Sequence, residues 1–162
     1  MKEYHSHLLA LSLSVSATAQ IRSIQRSLFK TSEDIRALAV TPLIPLLWSK
    51  EIPSLPTFPL MVSPVTFDTL SCESNHLYLV SQDARWLSLC EMITHNIQIQ
   101  KESDALFPHS CGIYLGTSSS SSLSFECAND DWRVVLLELY WHVEGEKVVH
   151  IRSKELANKH LL

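Results

Sequence analysis

Six of the seven prolines in this chain fall between residues 42 and 64, and no other feature limits the fold so sharply. Proline fixes φ and has no N–H, so neither a helix interior nor a central strand can run through such a stretch. Each residue preceding a proline is also pushed towards extended backbone. The spacing Pro53, Pro56, Pro59, Pro64 therefore predicts an extended connector over about 53–64. It joins two lobes of one domain, the first about 1–52 and the second about 65–162. The apolar run Ala37–Trp48, carrying Pro42 and Pro45, can be at best an edge or irregular strand.

The remaining segments show two hydrophobic periods. Leu9, Leu11, Leu13 and Val15 alternate with Ala10, Ser12 and Ser14, which predicts a half-buried strand over Leu8–Val15. Ala17–Lys30 then reads as a helix, with Ile21, Ile24 and Leu28 on one face and Arg22, Gln25 and Arg26 on the wet side. Past the connector, Val65–Leu70 and His76–Val80 read as a hairpin, and Asp83–Ile97 as a helix with Trp86, Cys90, Ile93 and Ile97 in one stripe. Phe107–Leu115, Leu123–Cys127 and Trp132–Val143 read as strands, and Lys147–Ile151 as a short edge strand after the Gly145-Glu146 turn. Strands and helices in this order predict an α+β fold of antiparallel sheets with two main helices.

At 162 residues the chain can bury a core without a metal or disulfide, and 46% apolar with 19% charged residues is a globular composition. A net charge of −4 argues against an extended nucleic-acid surface, which needs many Lys and Arg to neutralise phosphates. No apolar run reaches the roughly 18 residues that cross a bilayer. Cys72, Cys90, Cys111 and Cys127 form no C-x-x-C pair, so reduced thiols and a cytoplasmic location are expected, with no cofactor and no metal assigned. The alternative location is secretion: Lys2, the apolar Leu8–Val15 and Ala17-Thr18-Ala19 have the outline of a signal peptide over 1–19.

Among titratable groups His109 is the foremost candidate, because Pro108-His109-Ser110-Cys111 precedes a Gly- and Ser-rich loop and histidine can exchange protons near neutral pH. His5 and His7, two apart, share one strand face and in principle allow metal binding or paired proton transfer, though fraying is the default for a terminus. His142 and His150 can oppose each other across the last hairpin. The serines 118–122 lack the glycines and lysine of a P-loop. Cys111 on an alternating strand reads as an inert thiol, and Trp86, Trp132 and Trp141 read as core or rim residues.

The order of elements resembles the 2H phosphoesterases, a superfamily of 2′-5′ RNA ligase-like proteins and cyclic nucleotide phosphodiesterases. Its members are bilobal and carry two H-x-T/S motifs. Phe107-Pro108-His109-Ser110-Cys111-Gly112-Ile113-Tyr114-Leu115 resembles the second motif. The resemblance implies His109 as catalytic histidine, Cys111 in the place of the motif hydroxyl, and Ser110 and Tyr114 at the substrate. The counterpart of the first motif is Pro42-Leu43-Ile44-Pro45-Leu46, where Leu43 replaces the histidine. The implied function is a non-catalytic or weakly active 2H-like protein that binds a nucleotide, RNA end or protein partner. Two alternatives stand beside it: a metal-independent 2′,3′-cyclic or 2′-5′ phosphodiesterase using His109, with His7 as a possible partner, and an unrelated interaction module.

Overall fold

The computed structural model describes residues 2–53, 64–96, 105–108, 111–118 and 124–160, the side chains of 93–96 excepted. The fold is α+β, with antiparallel strands throughout the described residues. Strand β1 (Lys2–Ser12) is followed by helix α1 (Val15–Ser32), a 3-10 turn at Ala37–Ala39 and strand β2 (Leu43–Ser49). Next come β3 (Val65–Phe67), β4 (Thr69–Glu73), β5 (His76–Val80) and helix α2 (Ala84–Asn96). Strands β6 (Ile113–Thr117), β7 (Cys127–Asn129), β8 (Arg133–Glu144) and β9 (Lys147–His160) complete the chain.

The main sheet has the order β2-β1-β8-β9, so the first strand of the sequence lies inside it. Alternation along β1 sends Leu9 and Leu11 to one face, where they meet Ile21 and Leu28 of α1, and Leu8 and Ala10 to the other, with Trp48, Tyr114 and Trp141. Strand β2 is an edge, as its prolines require, and its register with β1 slips where Ala10 faces Pro45. A second sheet, β4-β5-β6, and the pair β3-β7 pack beside it.

Several boundaries differ from expectation. The first strand ends at Ser12, because the Ser14 hydroxyl accepts from the Ala17 N–H at 3.2 Å and caps α1, so Val15 is helical. Gln25, expected in water, is buried: its Nε2 donates to the Tyr114 carbonyl at 2.9 Å, and its Oε1 accepts from Arg22. The single strand expected over Val65–Leu70 is two, since the chain changes sheets at Asp68, whose N–H donates to Val80 O at 3.1 Å. Ser74 and Asn75, both at positive φ, close the β4-β5 hairpin in the manner its right-handed twist favours. The strand expected over Phe107–Leu115 begins at Ile113 and runs to Thr117, and that expected over Leu123–Cys127 becomes Cys127–Asn129. Strand β9 runs well past Ile151 to His160, held by its ladder with β8. Its final residues are mostly exposed, so no apolar alternation marks them.

Trp86, Trp132 and Trp141 are core residues, Trp86 packing between Phe67 and Trp132 at ring-centroid separations of 5.2 and 5.4 Å. Among the described residues no helix is long and apolar enough to cross a membrane.

Candidate functional site

His109 and Ser110 lie outside the described residues. The segment leading to them is anchored: Phe107 is buried, stacks on Tyr114 at 4.2 Å and packs edge-on against Trp48 at 5.1 Å. The Tyr78 hydroxyl donates to the Pro108 carbonyl. Cys111 and Tyr114 leave the segment on opposite sides, Cys111 packing with the α1-side core and Tyr114 with the other.

Tyr114 is fully buried, and burial raises its phenol well above the ordinary range, so it stays protonated. Its hydroxyl lies 2.9 Å from Nδ1 of His76, and Nε2 of that ring lies 3.2 Å from Nη1 of Arg36. A guanidinium can only donate, so His76 accepts at Nε2 and carries its proton on Nδ1. Behind Arg36, Asp34 accepts from the Thr117 hydroxyl at 2.9 Å. Arg36, Glu146 and Val148 line both of two surface cavities, of about 160 and 460 Å³.

Cys90 and Cys111 interact through their thiols: this interaction and burial push the Cys90 thiol up, while the same interaction lowers Cys111 against the opposing effect of burial. The Trp86 indole donates to the Cys111 carbonyl at 3.0 Å.

Another cluster stands on the main sheet. His5 and His7 do share a face of β1, and the fraying expected of a terminus does not reach His7, which is 4% exposed inside the sheet. The β1-β8 register sets His7 opposite Glu138 and His5 opposite Tyr140. Oε2 of Glu138 lies 3.2 Å from Nε2 of His5 and 3.4 Å from Nε2 of His7, and a ligating atom from each of the three residues falls within 4.8 Å of the others. His5 stacks on Tyr140 at 4.2 Å, and Nδ1 of His7 lies 3.2 Å from the Lys50 carbonyl. Nε2 of His7 is buried with no hydrogen-bond partner among the described residues, since Glu138 lies near it without hydrogen-bond alignment. Sequence reasoning reached the two histidines and missed Glu138, 133 residues from His5. Its signal is the lone carboxylate within the apolar strand Val134–Trp141, a residue type that is seldom buried without a partner.

His142 and His150 also meet across the β8-β9 hairpin, at a ring separation of 5.8 Å, with His150 at positive φ where the register slips. No family model matches this chain, and no curated protein or solved structure matches it either.

Proposed function

We propose that this chain is a diverged 2H-like domain that binds a nucleotide or RNA end and has lost standard two-histidine catalysis. The observation that carries the second half of this reading is the state of Leu43, which stands where the first motif would have its histidine. Leu43 is 2% exposed in β2, with Ile44 and Leu46 equally deep in the core, so that segment offers packing and no proton-transfer group. A positioned acid or base contributes about 10² to 10⁴-fold, and without it the acid–base-assisted attack of water on a cyclic phosphodiester loses that factor. The binding half rests on the resemblance of Phe107–Leu115 to the second motif, and on the packing of Phe107 against Trp48 and Tyr114, which holds the residues before His109 to the core.

The test is twofold: hydrolysis of 2′,3′-cyclic nucleotides and a 2′-5′ linked dinucleotide without added metal, and calorimetric binding of the same ligands, with the wild type and His109→Ala. Binding that the variant weakens, with no turnover, is the expected result. Turnover abolished by the variant would replace this reading with a working phosphodiesterase. Neither binding nor turnover would leave the domain as an interaction module.

A further inference from the structure

We propose that His5, His7 and Glu138 form a binding site for a divalent transition-metal ion, zinc being the ion that suits them best. This goes beyond the 2H-like reading, which involves no metal, and stands on different residues.

The argument begins with the tautomer of His7. A backbone carbonyl only accepts, so the contact between Nδ1 and Lys50 O requires the proton on Nδ1 and leaves a lone pair on Nε2. That lone pair is buried, and the electron-rich atom beside it, 3.4 Å away, is a carboxylate oxygen. Two acceptors side by side, the histidine one buried and the carboxylate half-buried, repel each other unless a cation lies between them. The pair is not aligned for a hydrogen bond, so a shared proton is a poor bridge. In a metal site, by contrast, each lone pair aims at the ion, and neighbouring donors flank one another without facing.

The spacing fits that geometry. Zinc bound at about 2.0–2.1 Å in a tetrahedron holds neighbouring donor atoms about 3.3–3.4 Å apart. Two such edges are present at 3.2 and 3.4 Å, and the third, from His5 to His7, lies within 4.8 Å. His5 is exposed, so a small ring movement can close that edge as the ion displaces its Nε2 proton.

The supporting contacts are those a metal site needs. The Lys50 carbonyl fixes the ring orientation and tautomer of His7, as partners behind metal-bound histidines do. Tyr140 forms a platform under His5. His7 and Glu138 lie on strands paired on each side at those positions, and His5 is paired with β8, so the donors sit on a rigid base. Two imidazoles and one carboxylate suit zinc, cobalt or iron, whereas calcium and magnesium want oxygen donors alone. Three protein ligands leave a coordination position for water or an exogenous ligand.

The experiment is calorimetric titration of the full chain with Zn²⁺, repeated with Co²⁺ while its visible absorption is followed, for the wild type, Glu138→Gln, His5→Ala and the remote control His150→Ala. Glu138→Gln keeps the side-chain shape and His5 is exposed, so circular dichroism melts should show both variants folded. The expected result is one ion per chain, a Co²⁺ spectrum of low coordination number, and binding at least about tenfold weaker in both cluster variants but unchanged in the control. Absence of binding by the wild type, or binding that neither cluster variant weakens, overturns the site. A Co²⁺ spectrum identical to that of the aqueous ion does so as well.

Discussion

Arg36 donates from Nη1 to Nε2 of His76 across 3.2 Å, so a permanent cation occupies the lone pair that protonation of the histidine would need. Burial first, and Arg36 second, lower the His76 pKa to about 4. An unfolded histidine titrates near ~6.5, so on acidification the unfolded chain takes up this proton before the folded one. The His76 contribution is therefore complete above pH ~6.5, declines as pH falls, and is fully lost below about 4, a span worth up to roughly 3 kcal/mol. Denaturant unfolding of the wild type and His76→Gln at intervals across that window checks this. The wild type should lose more stability than the variant, and parallel curves would refute the assignment.

Gly112 is needed for space. A methyl group there would sit 2.7 Å from Cγ1 of Val80, 3.0 Å from Cβ of Tyr78 and 3.2 Å from the Leu79 carbonyl, all on the neighbouring strand β5. Gly112→Ala should cost about 1–3 kcal/mol, read from the shift in denaturation midpoint.

Asn129 ties β7 to the start of α1. Its side chain, 0% exposed, accepts from the Ser14 N–H at 2.7 Å and donates to the Asp131 carbonyl at 3.0 Å. Asn129→Leu leaves the buried Ser14 N–H and the half-buried Asp131 carbonyl without this partner, for a loss of about 2 kcal/mol in thermal or denaturant unfolding. Hydrogen exchange should quicken first in the opening turn of α1.

Trp86 joins α2 to the core through packing and through its indole bond to Cys111 O. Trp86→Ala should cost about 3–5 kcal/mol, and Trp86→Phe less, since the phenyl ring refills much of the space while losing the hydrogen bond. The near-ultraviolet dichroism of the stacked Trp86–Trp132 pair should vanish in both variants.

What the sequence revealed and what it hid follow from the same physics. The helix α1 was legible because Ile21 and Leu28 repeat on one face, and β2 was marked as an edge by its prolines. Gln25 was misread because its partner, the Tyr114 carbonyl, is a backbone atom 89 residues away that no side-chain pattern signals. The break at Asp68 and the length of β9 were hidden for a similar reason: ladder hydrogen bonds decide both, and the residues of β9 bury little. The cluster of His5, His7 and Glu138 was half visible. The two histidines show their shared face by spacing, while their carboxylate arrives through register with a strand remote in sequence.

The position of β1 inside the main sheet governs the order in which the molecule can form. Lys2–Ser12 is synthesised long before its partner, since Ser12 pairs with Arg133 and Lys2 with Val143. A nascent chain can close β4 on β5, wind α1 or pair β1 with β2 early, but the second edge of its central strand must wait until residues 133–144 have been made. Until then Leu8, Leu9 and Leu11 can be covered by α1 and β2, but the β8 edge of their strand stays open. Such high contact order predicts slow folding, and makes the waiting strand the part of the nascent chain most exposed to association with other chains or to chaperone capture.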